Sequence, residues 1–126
     1  MVASAKPEGL ALFAGISAEP LVDDVAGRAM QLGAVLRELR GSAHLLAVVA
    51  SGLTGEMAHF LKRPSDYKMF GYDEATAPVA TAEHQAQLAA AESLTDAIVR
   101  PAVSVLDAAG AGALAKGAAA MLAALS

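Results

Sequence analysis

Cysteine and tryptophan are both missing from this 126-residue chain. Without cysteine there is no disulfide and no thiolate metal site, and the composition fits a reducing compartment. Aromatic residues are scarce, at 4%, and β-branched strand formers are few, which leaves little to build a sheet from. No apolar run approaches the ~20 residues that a membrane-spanning helix needs. The run Ala43–Ala50 is too short, and the apolar C-terminal region is interrupted by Asp107 and Lys116. The opening MVASAKPEGL lacks the basic segment and apolar run of a secretory signal. A cytoplasmic protein with no membrane contact is expected. An overall basic charge is lacking too: the net charge is −4, which gives no general attraction to nucleic acid.

What the chain does have is alanine, the best helix former, which dominates the 56% hydrophobic content. The expected fold is all-α: a compact bundle of five to six helices, with residues 1–7 as a disordered tail and 8–126 as a single helical domain. Residues 8–16 read as a short helix or a packed extended arm. Pro20 suits the first turn of the next helix, with Asp23 and Asp24 at its positive end. Val25, Ala29, Leu32, Leu36 and Leu39 form one apolar stripe. Arg37 and Arg40 fall in the last turn, and Gly41 ends the helix. Ser42 caps a second helix to about Ala50, Gly52 turns the chain, and Thr54 caps a third that stops before Pro64.

Residues 64–78 read as turns anchored by Tyr67, Phe70 and Tyr72. A helix over about 79–100 carries Leu88, Ala91, Leu94 and Ile98, and Pro101 kinks or restarts it. Gly110 and Gly112 mark a break. The last helix starts near Ala113, with Leu114, Ala118, Met121 and Leu125 along one face. That stripe, flanked by small residues, fits packing against a twin subunit, so a homodimer is expected.

The segment RGSAHLLAVVASGLTGEMAHFL, residues 40–61, is the strongest functional signal. A small residue at the helix crossing, a glycine at the sharp turn and apolar inner faces are what a helix-turn-helix pair requires. Ala47, Gly52, Leu53, Ala58 and Leu61 supply them. Between Arg37 and Lys68 five bases outnumber three acids, a surplus of two that leaves −6 for the rest of the chain. As a nucleic-acid surface this would use Arg40, Glu56, His59, Lys62, Arg63 and Lys68. No Asn, Gln or Arg sits mid-helix for a bidentate base contact.

Two other constellations deserve weighing. His44, Glu56 and His59 are candidates for a mononuclear metal site, the last two sharing one helix face. Met30, His44, Met57, His59, Phe60, Tyr67, Phe70 and Tyr72 are candidates for an apolar ligand pocket between helices. Nucleophilic catalysis finds no support: cysteine and a Gly-x-Ser-x-Gly elbow are both missing. The run AGAGALAKG has no strand before it and no Ser or Thr after Lys116, so it is no phosphate loop. No catalytic residue and no cofactor is expected.

Several runs resemble a known family. VLRELRGSAHL (residues 35–45), ASGLTGEMAHFL (50–61), FGYDE (70–74) and ESLTD (92–96) followed by Pro101 are similar to the C-terminal half of actinobacterial SalK-like proteins, which are assigned a winged, MarR-like helix-turn-helix. The resemblance runs from about Leu10 to Leu125. It implies a helix-turn-helix domain and carries over no catalytic residue. Residues 75–91 stand where the family has the end of its reading helix and a wing, and no Gly-rich or basic hairpin is visible there. A reduced or missing wing is therefore expected. A lone half would also expose an apolar face unless it pairs with itself. Three readings remain: a non-catalytic dimer that binds a small ligand or a protein partner, a DNA-binding regulator using residues 54–62, or a metal protein or enzyme.

Overall fold

In the computed structural model, residues 1–124 are described. Among them are five α-helices, four 3-10 turns and no strand. The α-helices are α1 (Ala11–Ser17), α2 (Val25–Ala50), α3 (Gly55–Lys62), α4 (Ala82–Val103) and α5 (Ala108–Ala124). The expected all-α class is what the chain adopts. Residues 63–81 hold only 3-10 turns and coil, so no β wing follows α3. No single helix among the described residues is long and apolar enough to cross a membrane. The chain divides into two units: Met1–Arg40 with the chain from Val99 onward, and Gly41–Ile98.

In the first unit, residues 1–7, expected as a tail, carry a 3-10 turn at Val2–Ser4. α1 buries Phe13, and Val35 and Leu39 are buried on α2. α2 starts five residues after Pro20, later than expected, because Asp24 is the better start signal. Its Oδ2 accepts the Gly27 N–H at 2.5 Å, the bond of an N-cap residue. The preceding loop is braced from α2 instead of being helical. Gln31 donates to Pro20 O at 2.8 Å and accepts the Val22 N–H at 3.1 Å, while Arg28 Nε donates to Val22 O at 2.9 Å.

α5 also departs from expectation. It begins at Ala108, because Asp107 Oδ1 accepts the Gly110 N–H at 2.7 Å and caps it. Gly110 and Gly112 thus lie inside the helix. A Cβ on Gly33 would stand 3.3 Å from Met121 Cε, so α5 seats its methionine in a notch of α2. Leu114 and Ala118 of the expected stripe are exposed, and no residue of α5 is buried. Leu125 lies outside the described residues.

The expected break at Gly41 does not occur: α2 runs through it. The buried positions Val35, Leu39, Ala43 and Ala47 repeat every four residues across the glycine. Burial of that stripe outweighs the ~1 kcal/mol by which a mid-helix glycine falls short of alanine. Ser42 is accordingly a buried mid-helix residue and not a cap. Pro101 likewise sits inside α4, which ends two residues later.

The second unit is built on one apolar cluster. Ala47 and Val48 of α2, Leu53 of the turn, Met57 and Ala58 of α3, and Leu88 and Ala91 of α4 form it, with Leu61 packed alongside.

Candidate functional site

The turn between α2 and α3 is a Schellman motif. Gly52 N–H donates to Val49 O at 3.1 Å and Leu53 N–H to Val48 O at 3.1 Å, so the last carbonyls of α2 are satisfied. The motif needs a left-handed residue after the helix, and Gly52 takes φ +81°. Leu53 and Val48 meet in the core, as the motif's apolar contact requires. Two residues on, Thr54 Oγ1 accepts the Met57 N–H at 3.1 Å and caps α3. Arg63, kept out of the helical region by Pro64, ends it. A helix-turn-helix pair therefore forms where the residues placed it, with the end of a long helix as its first member.

The polar side chains of α3 mostly turn back onto their own unit. Glu56 accepts a hydrogen bond from the Tyr67 hydroxyl. Tyr67 is only 1% exposed. Its ionisation is pushed up to about 12 by that bond, by burial and by the Glu56 charge. The His59 ring meets the Phe70 ring edge-on at 4.4 Å. Its Nε2 is buried and has no hydrogen-bond partner among the described residues. Lys62 forms an ion pair with Glu92 of α4. Arg63 approaches Asp66 at 4.0 Å, and Lys68 stands exposed in the 3-10 turn Lys68–Phe70. Arg40, the remaining member of the expected nucleic-acid set, belongs to the other unit.

The residues expected to line a pocket are divided between the two units. Met30 lies in the first unit and is 48% exposed. Met57 is core. Phe60 meets Tyr67 edge-on at 5.2 Å, Tyr72 stacks on Tyr67 at 4.8 Å, and His59 lies 6.3 Å from Tyr72. These rings fill one another's space. Only Tyr67 is a buried anchor; Phe70 is 57% exposed.

The metal set is separated in the same way. His44 Nδ1 lies 3.0 Å from Thr95 Oγ1, whose single proton goes to Ala91 O at 2.7 Å. His44 must therefore donate from Nδ1. With His44 on Thr95, Glu56 on Tyr67 and His59 against Phe70, no group of three or more His, Asp or Glu among the described residues can hold a metal ion.

Several partners escaped the sequence reading, Glu92 of Lys62 among them. Thr95 replaces the expected Leu94 on the buried face of α4, and a spacing of four from Ala91 was the available signal. Tyr67 as the partner of Glu56 had no local signal, because eleven residues and a turn separate them.

A family model described as a helix-turn-helix family matches residues 1–79. No curated protein and no solved structure matches the chain.

Proposed function

The chain belongs to this helix-turn-helix family, and from that premise we propose a non-catalytic helical domain that pairs with a second copy and binds a small ligand or a protein partner. One observation carries the reading: the polar residues of α3 serve the fold. Glu56 holds Tyr67, Lys62 holds Glu92, and His59 lies against Phe70. A helix that reads DNA presents three or four side chains to base edges, and α3 keeps few for that task.

Pairing is supported by apolar surface. α2 exposes Leu45, Leu46 and Val49, and α5 buries none of its residues. Surfaces of this kind mark association sites. Within the family, the resemblance of residues 35–45 and 92–96 to SalK-like actinobacterial proteins favours a MarR-like ancestry with the wing lost, and a cytoplasmic setting.

A DNA-binding regulator is the second reading. It is favoured by the well-formed turn with Arg63 and Lys68 exposed just beyond α3. Light scattering combined with anisotropy on random-sequence duplex DNA at low salt separates the two. The proposal expects a dimer and no DNA binding. Binding that weakens steeply as salt rises would reverse it in favour of the regulator.

A further inference from the structure

The first unit contains a cavity of about 450 Å³ that sequence reasoning did not anticipate. That volume lies within the range of small-molecule sites. Its walls come from four segments: Val2 and Ala5 in the N-terminal stretch, Phe13 and Ile16 on α1, Glu19 and Leu21 in the loop after it, and Leu32 and Val35 on α2. Phe13 and Val35 are each only 2% exposed, so one side of the cavity is fixed core. Other parts of the wall reach solvent. Leu21, also on the wall, is 52% exposed.

The polar groups on the lining are few, and their states can be read. Gln31 is held at both ends by the backbone of Pro20 and Val22. Each end has one partner, so the side chain acts as a strut for the loop and keeps a second Nε2 hydrogen. Ser17 Oγ donates to Ala14 O at 3.2 Å, which leaves its lone pairs available to a donor. Glu19 is the sole charged side chain on the lining, and no Lys, Arg or His contributes. What is offered to a guest is thus acceptor capacity at Ser17, one further N–H at Gln31 and negative charge at Glu19, over an otherwise apolar surface. An anionic guest would meet no cation and one carboxylate, at a cost in desolvation and like-charge repulsion.

The geometry points to a binding site here for a small apolar molecule whose polar end is neutral or cationic and donates hydrogen bonds. This names the site behind the small-ligand part of the function proposed above, and it rests on that reading. It also moves the site away from the aromatic cluster around Tyr67.

A matched pair of fluorescent probes tests the charge rule on the full chain. N-phenyl-1-naphthylamine is neutral, and 1-anilinonaphthalene-8-sulfonate has the same ring skeleton with a sulfonate. The neutral probe should bind saturably at one per chain, and about tenfold or more tighter than the sulfonate, a factor corresponding to roughly 1.4 kcal/mol. Ala5→Trp adds bulk to the cavity wall and should weaken the neutral probe at least tenfold. Leu21→Trp does the same from an exposed position, should the first variant fail to fold. Phe70→Ala, in the other unit, should leave binding unchanged.

No binding of the neutral probe, equal binding of the sulfonate, or full binding by a folded filling variant would each overturn the assignment. A dimer by light scattering that ignores the neutral probe defeats the cavity alone. A monomer that binds the probe defeats the pairing alone.

Discussion

Replacing Gly52 by alanine should unfold this protein more easily, whereas replacing Gly55, three residues later, should not. Gly52 sits at φ +81°, and a Cβ there would stand 3.2 Å from Gln87 Nε2. An L-residue in the left-handed region costs roughly 1–2 kcal/mol. The contact adds little, because a flexible amide can give way. Gly55 opens α3, and its Cβ would meet nothing within 4 Å. Alanine there removes unfolded-state freedom and should stabilise by about 0.4–1 kcal/mol.

The two variants should therefore differ by about 2 kcal/mol. For a chain of this length that separates their melting temperatures by roughly 6–12 °C. Gly52→Asn should recover part of the loss, since asparagine tolerates left-handed backbone better. Thermal and urea unfolding followed by far-UV circular dichroism measures all three. If Gly52→Ala melted with or above Gly55→Ala, the Schellman turn would not be the anchor of the pair, and the reasoning would fail.

Three more outcomes follow from named contacts. Thr95→Val removes the acceptor of His44 Nδ1 at a residue with no exposed surface. It should cost about 1–3 kcal/mol in urea unfolding, with Thr95→Ser retaining most of the stability. Tyr67 ionises at about 12 when folded against the ordinary 10 when unfolded. The unfolded state loses its proton first, so stability present below pH 10 should drain away between about pH 10 and 12. Tyr67→Phe should flatten that slope in urea midpoints measured across the range. Asp107→Ala deletes the cap on Gly110 and should cost about 1 kcal/mol, read as lost helical signal from α5, while Asp107→Asn should keep the cap.

The helix-turn-helix was legible because its determinants are local. Gly52 supplies the backbone sign, Thr54 the cap and Pro64 the stop, all within thirteen residues. Local signals misled where tertiary burial or a stronger cap competed with them. Gly41 looks like a terminator, yet Val35, Leu39, Ala43 and Ala47 are all buried and carry α2 through it. Gly110 and Gly112 look like a break, yet Asp107 starts α5 before them. Leu94 looks like core by type, but its direction on α4 leaves it 38% exposed while Thr95 takes the interior. On α3 the fold gives Glu56 and Lys62 partners that the sequence did not indicate. Tyr67 and Glu92 reach Glu56 and Lys62 from segments that only the fold brings near.

Those partners also bear on what α3 can do. The helix has eight residues, so each face offers only two or three positions. Met57 and Ala58 are buried, with Leu61 packed beside them, and their face joins the core. Releasing Glu56 to a nucleic acid would leave the Tyr67 hydroxyl, almost wholly buried, without its acceptor. An unmet buried donor is a penalty that contact with water or phosphate elsewhere does not return. Lys62 is different. Its own side chain is half exposed although the Glu92 carboxylate is less so, and it can turn toward a phosphate without vacating the core. Cations that bind phosphate position a helix but carry no sequence information. On the proposed reading, the surface left on α3, with Gly55 lacking a side chain, suits contact with a backbone more than with base edges. Sequence-specific recognition would then have to come from outside this helix.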